Sequence, residues 1–390
     1  MTNNLTSKIG SWEINAKLPV NFKIKNSPNL FDSKNLDLLE FGDVGSNSRR
    51  LILIDQNLCH LYLKEITEYF HHHAIEIHIV AVKSDEEDKN LDTLIFILGE
   101  MERFGLLRRS EPVIAIGGGV LLDIAGMAAG LYRRGIPYIR IPTTLVGLID
   151  ASVGIKTGIN FQTRRNRLGS YYPPLASYLD KKFLNSLESL EISSGLGEIL
   201  KMAVIKDQAL FHLLEENGAE ILDSKFQNNE CANEVINRAV QGMKDELEIN
   251  LWEIDLKRIV DFGHSFSPVI EMRSIEDKNY VSLTHGQAVT VDVIYSSIIS
   301  FQRGMLKEND LIRIAKTARK MGLPTDHDLF HQPLMVLEAL NDTKKHRNGE
   351  QNLPMPNDIG SSFFINDLSL NDIKKAIGYL QTLNEKLNNE

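Results

Sequence analysis

A glycine triplet set between a strand pattern and a helical pattern, inside residues 113–169, constrains this chain more than any other stretch. Residues 113–116 read Val-Ile-Ala-Ile, Gly117, Gly118 and Gly119 follow, and a helical pattern then carries Asp123 and Gly126. Strand, glycine turn and helix start in that order let backbone N–H groups approach a pyrophosphate, while Gly126 permits close helix packing. The spacing is not GxGxxG, so the ordinary Rossmann dehydrogenases are not the match. A second strand over 138–141 runs into Pro142-Thr143-Thr144, and Asp150, Lys156, Asn166 and Arg167 follow among small residues. Chemistry is expected where such a loop leaves a sheet.

The length of 390 residues suggests two domains, and 43% hydrophobic content supports a sizeable core. A net charge of -9 argues against a general nucleic-acid surface. No apolar run approaches the roughly 18 residues of a membrane span, and the start MTNNLTSKIG has no signal-peptide core, which points to a cytoplasmic protein. Cys59 and Cys231 lie far apart without CxxC spacing, so they read as buried spectator thiols.

Residues 1 to 10 read as disordered, and 12–24 alternates apolar and polar positions as an antiparallel strand or hairpin does. A buried strand over 50–54 ends in Asp55-Gln56-Asn57, a helix covers 61–73, a strand 75–82, and residues 84–89 cap a helix over 91–104. Three adjacent histidines, His71 to His73, cannot face one ion, because consecutive residues on a helix point in different directions. Strands alternating with helices up to about residue 180 predict a mostly parallel sheet covered on both faces. Beyond it, helical periodicity over 187–217, 231–251, 285–303, 308–321 and 368–387 predicts an all-α domain. The expected division is an α/β domain over 1–182 and a helical one over 183–390.

Glu198 and Lys201 fall three apart on one helix face, a pair that taken alone is usually a solvated contact. Two other segments, Asp261-Phe-Gly-His264 and Thr284-His285-Gly, also offer hard ligands at helix starts. A carboxylate with two imidazoles is the usual ligand set of a catalytic divalent metal that keeps a position open for substrate. His264 and His285 are too distant in sequence to share a helix, so only a fold can bring them together.

In this order GGGVLLDIAG, PTTLVGLIDASVGIKTGIN, GLGEILK, DFGHSF and THGQAV resemble the motifs of the sugar phosphate cyclases typified by 3-dehydroquinate synthase. The resemblance implies an NAD-binding α/β domain, a helical domain and one zinc or cobalt ion between them. It implies metal ligands Glu198, His264 and His285. It implies NAD contacts at Asp55, Asn57, Glu86, Lys89, Gly118, Gly119, Asp123, Thr143 and Thr144. Asp150, Lys156, Asn166, Lys201 and Lys244 would line the pocket for substrate and phosphate. Arg134 would reach across a homodimer interface to the neighbouring site.

Where dehydroquinate synthases have a second His, an Asn and an Arg, this chain has Pro268, Asp261 and Lys257. An acid at Asp261 is expected to disfavour a substrate carboxylate, since like charges roughly 4 Å apart cost about 4 kcal/mol at an effective dielectric near 20. The departures, with RRNRLGSYYPP and KDELEINLWE, resemble the branch that cyclises sedoheptulose 7-phosphate. Within it, the 2-epi-5-epi-valiolone synthases resemble this chain at Leu247, Asp261 and His346. Desmethyl-4-deoxygadusol and 2-epi-valiolone synthases are the alternatives, with 3-dehydroquinate synthase further off.

The resemblance implies transient oxidation at C5 by NAD+, loss of phosphate from C7, re-reduction and an intramolecular aldol closure. A metal-dependent polyol dehydrogenase shares the glycine turn but has no phosphate to expel with its lysines. A protein that binds NAD or sugar phosphate without catalysis is the third reading, against which the complete set of Glu198, His264 and His285 argues.

Overall fold

The computed structural model describes residues 11–45, 47–162, 164–227 and 230–389; the segment expected to be disordered, 1 to 10, lies outside them. The first half holds β1 (Lys23–Asn26), β2 (Ser48–Asp55), α1 (Cys59–His72), β3 (Ile75–Val82), α2 (Leu91–Phe104), β4 (Val113–Gly117), α3 (Gly119–Leu131) and β5 (Tyr138–Pro142). A hairpin of β6 (Lys156–Phe161) and β7 (Arg164–Tyr171) and then β8 (Ala176–Leu179) complete it. Six strands make one sheet in the order β1-β8-β5-β4-β2-β3, and every neighbouring pair is parallel.

Period-two alternation gives this sheet two buried faces. Leu51, Leu53, Val113 and Ala115 pack with α2 and α3, whereas Ile52, Ile54, Ile114 and Ile116 pack with α1 on the other side. From β2 the chain goes to β3 on one side and to β4 on the other. The crevice between the C-terminal ends of β2 and β4 is therefore the topological switch point, where ligands of such sheets bind.

Residues 12–24 do not form the antiparallel strand expected of them. Only β1 is a strand, and it pairs parallel with β8, Lys23 opposite Ala176. The apolar side chains before it find no core: Trp12, Ile14 and Leu18 are 83%, 93% and 81% exposed. Cys59 and Cys231 are free but only half-buried, against the expectation of buried thiols.

The second half is helical: α4 (Ser189–Ile205), α5 (Gln208–Asp223), α6 (Glu230–Glu248), α7 (Ser267–Glu276), α8 (His285–Gln302), α9 (Glu308–Lys320), α10 (Pro333–His346) and α11 (Leu370–Asn388). One hairpin of β9 (Leu353–Asp358) and β10 (Ser361–Ile365) interrupts it, so this half is not purely α. The single helix expected over 187–217 is two, because Asp207 turns out of the helix and caps the next by accepting from Leu210 N. Residues Leu145, Leu148, Ile149 and Val153, from the loop after β5, are buried in the helical core. That loop thus carries Asp150 to the junction of the two halves. No described helix is long and apolar enough to cross a membrane.

Candidate active site

At the switch point the chain leaves β4 as Gly117-Gly118-Gly119 and enters α3 with Gly118 at the N-cap and no side chain capping it. The first N–H groups of α3 are left for an anion. A β-carbon on Gly117 would stand 2.7 Å from Leu121 and one on Gly118 3.0 Å from Thr144, so a side chain at either position would crowd its neighbour. Thr143 N donates to Gly117 O at 3.0 Å, and Thr144 Oγ1 accepts from Gly147 N at 3.1 Å, so both threonines border the turn.

The other expected dinucleotide contacts gather round this turn. Asp55 ends β2, where it accepts from the backbone of exposed Asn57 at 2.9 Å and from Ser84 Oγ at 2.6 Å. Buried Lys89 donates to Asp123 at 2.6 Å and to Asn166 at 2.7 Å. Glu86 is already engaged, accepting from Asn160 Nδ2 at 2.8 Å and Arg165 Nε at 3.0 Å.

On the helical side, α4 presents Glu198, the loop before α7 presents His264, and the first residue of α8 is His285. One ligand atom from each lies within 4.8 Å of the others. Glu198 Oε1 stands 3.0 Å from His285 Nε2 and 3.5 Å from His264 Nε2. The far nitrogens are occupied: His285 Nδ1 lies 3.0 Å from Glu271 Oε2, and His264 Nδ1 lies 3.2 Å from the Phe262 carbonyl. In the tautomer that donates there, each imidazole would turn an Nε2 lone pair to a cation bound beside Glu198.

Glu198 is 1% exposed, and neither of its oxygens finds a hydrogen bond of acceptable angle, although Lys201 Nζ stands 2.6 Å from Oε2. Two imidazole lone pairs and an orphaned carboxylate converging in the interior fit a divalent cation. With only protein groups as neighbours, burial opposes the charge on Glu198, but Lys201 and the two imidazoles outweigh it and hold the carboxyl well below its usual range. Burial, aided by Lys201, depresses His264 to about 4. Burial also opposes the charged form of His285, yet Glu271 and Glu198 raise it to about 10. Asp150, in a π-helical turn over Gly147–Ala151, is pushed up by burial and then by Glu198.

The pair Glu198 and Lys201 is therefore not a solvated surface contact, since Lys201 is itself 3% exposed. Lys156, at the start of β6, is exposed, with its ammonium 2.9 Å from Glu253. Leu247 sits near it, at 3.6 Å from where a Gly154 β-carbon would be.

Other expected pocket residues lie elsewhere. Lys244 is exposed on α6 and donates to Glu248 at 2.7 Å. Lys257 is exposed over the Phe364 ring at 4.9 Å, and the cation that reaches Asp261 belongs to its neighbour Arg258. His346, 56% exposed at the end of α10, lies 3.6 Å from Asp342. It lines a groove of about 480 Å³ with Pro268 and Arg165, and that lining contains none of the three ligand residues. Arg134 is exposed in the turn after α3, with a positive φ of 62° beside Arg133 at 49°.

Asp261 does not present a bare charge. It pairs with Arg258 and lies 3.6 Å from Arg347 Nη2, so the expected like-charge repulsion is compensated, and what Asp261 does instead is occupy two guanidinium groups. Sequence reasoning missed Arg165, Glu253, Arg258, Glu271, Asp292 and Arg347. Arg165 and Glu253 lie inside RRNRLG and KDELEINLWE, stretches that stand out in the sequence, but nothing in their spacing names a partner.

Comparison with known proteins agrees with this geometry. Residues 79–194 match the 3-dehydroquinate synthase N-terminal family and 195–346 the 3-dehydroquinate synthase C-terminal family. A 2-epi-5-epi-valiolone synthase of Streptomyces albus is 42% identical over 96% of this chain and 91% of its own. A demethyl-4-deoxygadusol synthase of Trichormus variabilis is 35% identical over 84% of this chain and 80% of its own. The solved 2-epi-5-epi-valiolone synthase of Streptomyces hygroscopicus subsp. jinggangensis, with NAD+ and Zn2+ bound, superposes with a TM-score of 0.89 at 42% identity, covering 96% of this chain and 100% of that one. Glycine turn, metal-ligand geometry and full-length likeness agree, and the chain belongs to the 3-dehydroquinate synthase family of sugar phosphate cyclases.

Proposed function

We propose that the protein converts sedoheptulose 7-phosphate to 2-epi-5-epi-valiolone and phosphate, using bound NAD+ and one Zn2+ or Co2+. The observation that carries the reading is the convergence of Glu198, His264 and His285 within 4.8 Å in a chain 42% identical to 2-epi-5-epi-valiolone synthases. Glu198, His264 and His285 would hold the metal, which supplies Lewis acidity toward a substrate hydroxyl. The glycine turn, Asp55, Asn57, Asp123, Thr143 and Thr144 would hold NAD+, which supplies a hydride acceptor that is regenerated in the cycle.

The chain's own groups then divide the remaining work. Asp150, carried to the junction of the two halves near Glu198, is placed to exchange a hydrogen bond with a substrate hydroxyl. Lys201, Lys156 and Asn166 offer donors to the departing phosphate. Asp261, filling Arg258 and Arg347, removes the cations that a substrate carboxylate would need, which favours an uncharged sugar chain. Fixing the opened sugar in one conformation lets the aldol closure proceed by proximity.

We divide the chain into an NAD-binding unit over 1–182 and a metal- and substrate-binding unit over 183–390, supported by the last sheet strand ending at Leu179. We place it in the cytoplasm as a homodimer in which Arg134 meets the neighbouring site, supported by the exposure and positive φ of Arg134 and by free cysteines. Phosphate release from sedoheptulose 7-phosphate and from its carboxylated heptulosonate counterpart tests the substrate class. Release from the first alone, and only with both NAD+ and metal, supports it; turnover of the carboxylate overturns it.

A further inference from the structure

Arg165 stands between the two binding regions and belongs to neither expected set. It projects from β7, where its Nε lies 3.0 Å and its Nη2 3.3 Å from the Glu86 carboxylate, on the loop after β3. Its remaining nitrogen, Nη1, pairs with Glu271 of α7. Glu271, 4% exposed, turns its other oxygen to His285 Nδ1 at 3.0 Å, and His285 Nε2 faces Glu198 at 3.0 Å. One guanidinium thus joins the sheet half to the metal half through four consecutive contacts.

The sheet end of this chain is well anchored. Asn160 Nδ2 donates to Glu86 at 2.8 Å, Asn160 N to Lys89 O at 2.8 Å, and Asn160 Oδ1 accepts from Asn166 N at 2.9 Å. Glu86 therefore has little freedom to follow Arg165, and Arg165 is fixed by it. A planar fork bound at both ends holds Glu271 in one orientation, which a point charge such as lysine cannot do at both carboxylates.

We propose that Arg165 is a positioning residue for the metal centre: anchored by Glu86, it orients Glu271, and Glu271 orients the His285 imidazole with Nε2 toward the ion. The inference rests on the reading of Glu198, His264 and His285 as metal ligands. Removing the guanidinium leaves a buried carboxylate without its arginine, free to turn from His285. Losses of such outer partners weaken metal binding by about 10- to 100-fold.

The test is Co2+ binding to the full chain, with Kd and the visible ligand-field spectrum as readouts. Arg165→Met is expected to raise Kd by about 10- to 100-fold and to change the spectrum. Arg165→Lys recovers part of the loss, because an ammonium can still hold Glu271. Arg164→Met makes the same charge change one residue away, at a side chain 53% exposed and paired with Asp342, and leaves both readouts unchanged. Wild-type Kd and spectrum in Arg165→Met, or equal effects of the two Met variants, overturns the inference while the metal reading stands. A wild-type chain that binds no Co2+ overturns both.

Discussion

Gly286 lies so close to Ser194 that a β-carbon on it would stand 1.7 Å from the Ser194 carbonyl oxygen. The contact is the crossing of α4 and α8, where Gly286 N donates to Ser194 Oγ at 3.0 Å and a β-carbon on Gly197 would meet Gly286 O at 2.4 Å. Glu198 follows Gly197 and His285 precedes Gly286. This close backbone approach of the two helices sets a carboxylate against an imidazole.

Gly286→Ala is accordingly expected to destabilise the fold by about 3 kcal/mol, the upper end of the usual cost of overpacking, because backbone rather than a flexible side chain stands in the way. Urea unfolding measures it. Metal content should fall in the same variant, since relief requires the helices to separate at their ligands.

Glu198→Gln keeps the shape of the side chain and removes its charge. Bound metal measured after dialysis should drop well below one per chain. Sugar phosphate turnover should fall on the order of a thousandfold, the several kcal/mol that a Lewis acid contributes. Chelation of the wild-type protein should do the same, and added Zn2+ or Co2+ should restore the wild type alone.

Asp261→Asn releases Arg258 and Arg347 from their shared carboxylate. A carboxylated heptulose phosphate should become a competitive inhibitor of the variant, as steady-state kinetics would show.

Asp292 on α8 ties the His264 loop down, accepting from Phe266 N at 2.6 Å and Ser267 N at 2.8 Å. Burial pushes its carboxyl up to about 6, against those donors and Ser296. A folded value above the unfolded one, about 3.9, means the native state binds more protons between the two. This group's contribution to stability therefore falls as pH rises through that window and is constant above it, by about 3 kcal/mol at most. Asp292→Asn should remove that part of the slope in denaturant unfolding followed from about pH 4 to about pH 6.

Much of this was legible in the sequence, for reasons specific to each part. The strands over 50–54 and 113–116 announce themselves because both faces of a central parallel strand are buried, and apolar runs record that, whereas the edge strand over 75–82 shows as an alternation of buried and exposed positions. The metal ligands could be named from the likeness of GLGEILK, DFGHSF and THGQAV to known motifs, although only His264 and His285 stand at helix starts and Glu198 lies in the middle of α4. Their convergence could not, because it depends on glycines at a helix crossing, and a glycine's neighbour is invisible in one dimension. Asp261 shows the limit from the other side: its charge was read, but the arginines that cancel it lie 3 residues away and on a separate loop at Arg347. The helices α7 and α10 carry no clear apolar period, although Pro268 and Pro333 in their first turns are helix-start signals.

The most direct measurement is identification by nuclear magnetic resonance of the cyclitol formed from sedoheptulose 7-phosphate with NAD+ and Zn2+ or Co2+. The account predicts 2-epi-5-epi-valiolone, one phosphate released for each sugar consumed and no accumulation of NADH. Demethyl-4-deoxygadusol or 2-epi-valiolone as the product, or NADH accumulating without ring formation, would contradict it.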